Sequence, residues 1–213
     1  PPDSDFDLRK LIPYAGLVWN FLPDYSAFAS YTGIYKPQTG RDINGHYLDP
    51  VEGVSYEVGI KGEHFNKRLN TALTLFDTRQ DNIATPVLDA GGNPVLRPDG
   101  SSVMAAVDGV RSRGFEIDVS GRVTSDVQLA FGWTYFSMKD DDGEKVRPFL
   151  PRTLVRLFAT WQPRQWVPDL TLGAGFNWQS GTSSTIASPG GPYNLQQGGF
   201  GQMSLMARYQ FTP

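Results

Sequence analysis

The stretch that decides the fold is Val127-Gln128-Leu129-Ala130-Phe131-Gly132-Trp133-Thr134-Tyr135. Its odd-numbered residues are apolar or aromatic, and its even-numbered residues are small or polar. Because successive side chains of a β-strand point to opposite faces, this alternation predicts a strand with one apolar face and one polar face. The same pattern recurs along the chain, so we predict an all-β protein built from antiparallel strands.

Short and long connections alternate between nine predicted strands. The strands are predicted at residues 12–21, 25–35, 54–65, 69–81, 110–121, 127–135, 152–162 and 169–179, with a ninth carrying Met203 to Phe211. Tight turns such as 22–24 and 66–68 alternate with wide loops such as 36–53, and we expect the loop before Asp108 to form a small hairpin. Sorting of short turns to one end and long loops to the other is typical of an outer-membrane β-barrel.

The composition excludes several other classes of protein. The chain has 213 residues, no cysteine, a net charge of −3 and 13% aromatic residues. The absence of cysteine excludes a disulfide scaffold and Cys-based metal or redox sites, and the small net charge argues against nucleic-acid binding. No run of about 18 apolar residues is present, so transmembrane helices are excluded. The aromatic content suits the interfacial girdles of a barrel.

Charged residues at the centres of predicted strands give a second argument for a barrel. A soluble core could not bury such groups unpaired, whereas a water-filled lumen can hold them. In the fifth strand we predict an apolar face with Phe115, Ile117 and Val119. The predicted inward-facing charges are Glu57, Lys61, Glu63, Arg113, Glu116, Asp118, Arg156 and Arg208. The predicted fold is therefore an antiparallel up-and-down transmembrane β-barrel, with a two-sheet soluble protein as the alternative.

Several segments occur in an order and spacing that match a known family over the whole chain. They are 13–19 (PYAGLVW), 25–38 (YSAFASYTGIYKPQ), 48–53 (LDPVEG), 56–59 (YEVG), 113–116 (RGFE), 177–180 (NWQS) and 206–209 (MARY). With these segments the chain resembles the C-terminal half of TonB-dependent siderophore receptors, above all those for ferric-hydroxamate and pyoverdine-type siderophores.

The resemblance implies a barrel of 22 strands, a plug domain that fills its lumen, and a segment that meets the TonB energy-coupling complex of the inner membrane. Residues 1–213 would then be a partial β-barrel domain of nine strands, with the plug domain and the final strands absent. The resemblance also gives the inward charges a role, which is to contact the plug. The residues expected to do so are Glu57, Lys61, Arg113, Glu116, Arg156 and Arg208.

Ligand-binding candidates lie in the predicted long loops or at the strand ends beside them. Ferric siderophores carry organic rings and chelating arms, which aromatic residues with polar tips suit. The candidates are Tyr35, Tyr47, Trp178 and Tyr193. For Tyr35 and Trp178 the alternative is the outer lipid girdle, and for Tyr47 and Tyr193 it is loop packing. The siderophore itself holds the iron, so we expect neither a protein metal site nor a cofactor.

Catalysis has little support in this sequence. The two histidines, His46 and His64, lie in a loop and at a strand end. The triplet 140–142 is acidic but lacks the spacing of a calcium loop, and the segment 180–184 has no histidine nearby. We expect no catalytic residue.

The predicted function is that of a Gram-negative outer-membrane receptor that imports a ferric siderophore by an energy-dependent route. Its expected partners are the ferric siderophore, the TonB complex, and outer-membrane lipid or lipopolysaccharide. A passive porin, a soluble carbohydrate-binding β-protein and an enzyme built into a barrel remain alternatives. The sequence does not identify the siderophore, because specificity depends on long loops and on the plug.

Overall fold

The computed structural model describes residues 10–186 and 193–211, and every regular element in these ranges is a β-strand. The strands are β1 (Tyr14–Leu22), β2 (Tyr25–Lys36), β3 (Val51–His64), β4 (Leu69–Asp81), β5 (Ile83–Pro86), β6 (Met104–Val107), β7 (Val110–Arg122), β8 (Val127–Lys139), β9 (Thr153–Trp161), β10 (Leu170–Gln179), β11 (Thr182–Ile186), β12 (Tyr193–Gln197) and β13 (Phe200–Tyr209). Within the same ranges, no helix is long and apolar enough to cross a membrane.

Nine of these strands form one antiparallel sheet in the order β1-β2-β3-β4-β7-β8-β9-β10-β13. Each strand pairs with the next sheet strand along the chain, which is the up-and-down arrangement. The remaining strands form two separate hairpins, β5 with β6 and β11 with β12. The prediction of nine antiparallel strands is therefore confirmed.

The connections alternate in length, as predicted. Residues 23–24, 65–68, 123–126 and 162–169 make the short connections, and residues 37–50, 82–109, 140–152 and 180–199 make the long ones. We call the end of the sheet that carries the short connections the short-turn end, and the opposite end the long-loop end. The hairpin expected in the loop 82–109 is present as β5 and β6. The second hairpin, β11–β12, is not predicted from the sequence, because its two strands have only five residues each and lie within a Ser-, Gly- and Pro-rich loop sequence.

Strand register gives the sheet two chemically different faces, because directly paired residues share a face. Ile117 pairs with Leu73 and Trp133, and this apolar face continues across the sheet. It carries Leu75, Phe115, Phe131, Tyr135, Val155, Leu157, Phe176, Met203 and Leu205. The opposite, polar face carries Glu57, Lys61, Thr74, Glu116, Asp118, Thr134, Arg156, Asn177 and Arg208.

The apolar face is too extensive and too exposed for contact with water. Met203 and Leu205 expose 67% and 75% of their surface, and Tyr56 and Leu75 expose more than half of theirs. Soluble monomers rarely present a continuous apolar patch of this kind. On β8 the face runs from Val127 to Tyr135, a distance of about 26 Å along the strand at ~3.3 Å per residue. At a strand tilt of about 40° this spans roughly 20 Å, close to the height of a barrel's lipid-facing band.

The buried apolar residues lie at the long-loop end instead of in a central core. The cluster consists of Val51, Ile83, Val110, Met138 and Val146, with Val107 and Phe136 packed against it. Val51, Val110 and Met138 stand at the ends of sheet strands, whereas Ile83 and Val146 belong to the long connections. The loops are thus attached to the sheet by hydrophobic packing.

Candidate functional site

The long-loop end gathers four connections, which hydrogen bonds join in two pairs. The Gln38 side-chain amide donates to the backbone oxygen of Asn82 at 2.7 Å, and Asn82 Nδ2 donates to the backbone oxygen of Pro50 at 3.2 Å. In addition, the Met104 N–H donates to the Arg41 carbonyl at 2.8 Å. The loops 37–50 and 82–109 therefore form one block.

The loops 140–152 and 180–199 form a second block. The Ser183 N–H donates to the Pro148 carbonyl at 3.0 Å. Ser180 Oγ accepts from the backbone N–H groups of Arg152 and Thr153 at 2.8 and 3.1 Å. These contacts hold the base of the β11–β12 hairpin against the start of β9.

Two aspartate turns shape the loop between β5 and β6. Asp89 Oδ1 accepts from the N–H groups of Gly91 and Asn93, both at 2.8 Å. The hydrogen bond from Asn93 holds the pKa of the Asp89 carboxyl below its usual range. Hydrogen bonds from the Ser101 hydroxyl and N–H lower the pKa of Asp99 in the same way. Both side chains act as Asx turns, so the loop has a defined conformation.

Two arginines at this end lie against aromatic rings. Arg41 donates to the Tyr47 hydroxyl and stacks on its ring, with the guanidinium carbon 4.1 Å from the ring centroid. Arg152 lies 5.0 Å from the ring centroid of Phe136 and donates to the backbone oxygens of Val146 and Arg147. Neither arginine is predicted as a site residue from the sequence, because the loop contacts that hold them depend on tertiary packing.

The four predicted ligand-binding aromatics do not lie together. Tyr35 and Trp178 belong to the apolar face, where they pair with Glu52 and with Val155 and Gly201. Their placement on the apolar face fits the girdle interpretation, and their contact with a ligand stays a prediction. Tyr47 is half-buried in its loop by the contact with Arg41, whereas Tyr193 is 62% exposed at the start of β12. Tyr193 is therefore the one of the four whose ring is open to a ligand.

Five of the six predicted lumen charges lie on the polar face: Glu57, Lys61, Glu116, Arg156 and Arg208. Lys61 lies 5.0 Å above the ring of Phe28. Among the described residues, none of the five has a salt-bridge partner. They are available to a domain placed inside a barrel, and their contact with a plug stays a prediction.

The prediction of a lumen-facing Arg113 is wrong. Arg113 pairs with Asp77 and Ser137 and shares the apolar face with Phe115. Its Nε donates to Asp77 Oδ2 at 3.0 Å, and Arg111 binds the same carboxylate through Nε at 2.7 Å and Nη2 at 2.5 Å. Arg113 and Phe115 are two positions apart in the sequence, so the period of a strand already assigns both to one face. The sequence carries this signal, and only the charge of Arg113 argues against it.

The two histidines and the acidic triplet considered in the sequence make ordinary structural contacts. His46 is exposed and lies 3.6 Å from Asp42, and His64 Nε2 lies 3.0 Å from Thr71 Oγ1. Asp140 Oδ1 accepts from the Glu144 N–H, as in an ordinary turn. In residues 10–186 and 193–211, no group of three or more His, Asp or Glu is placed to hold a metal ion.

Comparison with known protein families identifies the family to which this chain belongs. The family model described as "TonB dependent receptor-like, beta-barrel" matches residues 2–213. The chain belongs to this family. The TonB-dependent receptor-like β-barrels are outer-membrane proteins, and in bacterial barrels the long loops are extracellular while the short turns are periplasmic.

Several members of the TonB-dependent receptor family are similar to this chain. The ferric-pyoverdine 358 receptor of Pseudomonas putida is 37% identical over 205 residues, which cover 94% of this chain and 24% of the receptor. The ferripyoverdine receptor of Pseudomonas aeruginosa is 34% identical over 209 residues, covering 95% of this chain and 25% of the receptor. The chain thus spans about a quarter of the length of these curated relatives.

The fold is also similar to a solved member of the family. The crystal structure of the P. aeruginosa outer-membrane ferripyoverdine receptor bound to ferripyoverdine has a TM-score of 0.80 and 33% sequence identity to this chain. The match covers 94% of this chain and 27% of that receptor. The nine-stranded sheet is therefore part of a TonB-dependent receptor barrel.

Proposed function

We propose that the protein is an outer-membrane receptor that imports a ferric siderophore of the pyoverdine class by an energy-dependent route. The observation that carries this proposal is the similarity, at 33–37% identity over at least 94% of the chain, to three named ferric-pyoverdine receptors. The sheet of this protein also supports the proposal, because its apolar outer face and charged inner face suit a wide barrel with a filled lumen.

The long-loop end supports ligand recognition outside the cell. Its loops are held in two blocks by hydrogen bonds and by a buried apolar cluster, so a binding surface there would be preorganised. Tyr193 presents an exposed aromatic ring with a polar tip, which suits contact with an organic chelator. The iron would arrive as cargo held by the siderophore, and the proposal needs neither a resident cofactor nor an enzymatic step.

Energy coupling would require parts of the receptor outside residues 1–213. We propose that a plug domain meets the polar face of this sheet and that the TonB complex of the inner membrane acts on the receptor from the periplasmic side. Glu57, Glu116 and Arg156 would then bind plug residues through water or directly. The proposed location is the outer membrane of a Gram-negative bacterium.

Growth and uptake assays in a strain that lacks the gene test this function. Under iron limitation, the deletion strain should lose growth on one purified ferric pyoverdine, and the full-length gene should restore it. Uptake of radioactive iron as that complex should stop when the proton gradient is collapsed. Uptake that continues without the gradient would indicate a passive porin. If the deletion strain grows as well as the parent strain on every purified siderophore that is tested, the proposal is overturned.

A further inference from the structure

The tip of the loop 37–50 carries an asparagine that is followed by a glycine, Asn44 and Gly45. The backbone nitrogen of the residue after an asparagine can attack the side-chain amide carbon, and a succinimide ring then forms. Glycine hinders this attack least, because it has no Cβ. None of the other asparagines in the chain precedes a glycine. Asn44 is therefore the asparagine whose sequence favours this reaction most.

The surroundings of the pair leave room for the ring. Asn44 is exposed, and Gly45 has a φ of +86° at the turn. A Cβ built on Gly45 would have no atom within 4 Å. Water therefore reaches the reacting groups, and no neighbouring side chain stands in the way of the ring.

Two other loop tips have the same turn without the asparagine. In the turns 42–46, 89–93 and 140–144, the glycine at the fourth position donates to the carbonyl of the aspartate at the first position. The carboxylate of that aspartate accepts from the N–H of the fifth residue. The residue before the glycine is Asn44, Gly91 or Asp142. One backbone geometry thus presents a side-chain amide to the glycine nitrogen in the first turn only.

The attacking nitrogen is held by one backbone hydrogen bond. The Gly45 N–H donates to the Asp42 carbonyl at 3.1 Å, whereas the Asp42 carboxylate accepts from the N–H groups of Asn44 and His46, both at 2.9 Å. A single hydrogen bond at an exposed tip slows a reaction that must break it by no more than about tenfold. The fold therefore slows the attack without preventing it.

We propose that Asn44 is a site of spontaneous deamidation in the folded protein. The Gly45 N–H gives its proton to hydroxide, and the nitrogen forms a bond to Asn44 Cγ while the side-chain nitrogen leaves as ammonia. Water then adds to one of the two ring carbonyls and opens the ring to aspartate or isoaspartate. The sum is asparagine plus water giving a carboxylic acid plus ammonia, with no oxidation or reduction. The inference goes beyond the proposed function and does not depend on the imported ligand.

The reaction would loosen the loop as well as add a charge. Either product places a second carboxylate beside Asp42, and isoaspartate also adds a carbon atom to the backbone of the turn. The turn closes at a bridge between Arg41 and Tyr47, and the Arg41 carbonyl accepts from the Met104 N–H of the neighbouring loop. A longer turn would displace this bridge, and with it one of the contacts that join the loops 37–50 and 82–109.

Peptide mass spectrometry of the full-length receptor, stored in detergent for increasing times, tests the proposal. The peptide that contains Asn44 should gain about 1 Da. The rate should rise roughly tenfold for each pH unit, because the attacking species is the deprotonated amide. Asn44→Gln should stop the gain, since the longer side chain would have to close a larger ring. Asn93 is the internal control, because Pro94 after it has no N–H.

A transferred site and a peptide complete the test. Gly91→Asn places the same pair of residues in the turn 89–93 and should create a second site that reacts at a comparable rate. A synthetic peptide of residues 40–48 gives the rate without the fold, and Asn44 in the receptor should react within about tenfold of it. If the Gly91 variant fails to fold, the comparison between receptor and peptide still decides.

Several outcomes would overturn the proposal. They are a slowing of more than about tenfold relative to the peptide, an equal mass gain in the Asn44→Gln variant, and an equal gain at Asn93. Hydrogen exchange in residues 42–47 should become faster in the stored receptor and stay constant in the stored Asn44→Gln variant. Equal exchange before and after deamidation would show that the reaction leaves the loop intact.

Discussion

At the scale of single residues, the polar face shows why some of its glycines are required and others are not. An ideal Cβ at Gly114 would lie 2.0 Å from the Tyr135 carbonyl oxygen and 2.7 Å from Phe76 Cζ. The Phe76 ring therefore occupies the space that a side chain at position 114 would need. At Gly132, on the neighbouring strand and the same face, the nearest atom to such a Cβ is Asp118 Oδ1 at 3.6 Å.

This difference predicts opposite effects of the same substitution. Gly114→Ala should lower the free energy of unfolding by about 1–3 kcal/mol, because the new methyl group overpacks a contact with backbone. Gly132→Ala, the matched control, should be neutral or stabilising by about 0.5–1 kcal/mol, because alanine restricts the unfolded chain without a clash. Urea unfolding of the full-length receptor in detergent measures both. Equal losses in the two variants would contradict the prediction.

At the scale of elements, the long loops are fixed by a small buried cluster at the rim of the sheet. Ile83 is 1% exposed and contacts this cluster, whereas Ile43 at the tip of the neighbouring loop is 68% exposed. We therefore expect side chains at the rim to contribute more to the order of the loops than side chains at the loop tips.

Removing the buried side chain should release the loop from the sheet. Ile83→Ala should cost about 2–4 kcal/mol of local stability, because it leaves a cavity in the cluster. Hydrogen exchange in residues 82–109 should become faster, and affinity for the imported ligand should fall. Ile43→Ala is the control and should change exchange in neither loop. An unchanged exchange rate in the Ile83 variant would show that the cluster does not order the loop.

The Asp89 turn predicts a pH dependence of the same loop. The pKa of Asp89 is lowered by the hydrogen bond from Asn93, so the ionised form is favoured in the folded loop. Its contribution is complete above the ordinary aspartate pKa of about 3.9 and is lost as the pH falls through the lower folded value. Protection of the Gly91 and Asn93 amides, corrected for intrinsic exchange, should therefore persist to about pH 4 and decline below it.

A variant separates this effect from general acid unfolding. Asp89→Ala should remove the protection of both amides at pH 7, where the rest of the receptor is unaffected. Asp142→Ala, in the adjacent acidic loop, is the control. Protection that survives in the Asp89 variant would mean that the turn does not depend on the carboxylate.

At the scale of the whole molecule, the sheet separates lipid from a polar interior, and each strand contributes to both surfaces. On β9 the central outward residue is Leu157, whereas Thr160 faces the polar side and pairs with Gln128 and Gly173. A charge at the bilayer midplane costs more than a charge in a watery lumen.

Leu157→Arg should therefore destabilise the barrel by about 2–4 kcal/mol in lipid. Thr160→Arg adds the same side chain to the same strand and should cost clearly less. Folding of the full-length receptor into vesicles, followed by the heat-dependent change in gel mobility, measures the difference. A larger loss for Thr160→Arg would reverse the assignment of the two faces.

Local alternation determined most of the architecture from the sequence alone. The period of two residues predicts nine strands, and turn residues predict their alternating connections, because both depend on neighbours along the chain. The polar-face positions of Glu57, Lys61, Glu116, Arg156 and Arg208 also follow from this period. The same period places Arg113 on the face of Phe115. The prediction for Arg113 was wrong because it was based on the charge of the side chain and not on its spacing from Phe115.

Only the tertiary structure decided what happens at the long-loop end and across the outer surface. The β11–β12 hairpin, the cluster around Ile83 and the stacking of Arg41 on Tyr47 depend on loops that meet although they are distant in sequence. The row formed by Arg79, Arg111, Lys139 and Lys145 likewise exists only because strand register aligns cations from separate segments. Alternation is a property of one strand, whereas alignment between strands depends on hydrogen-bond register, which no single segment of sequence contains.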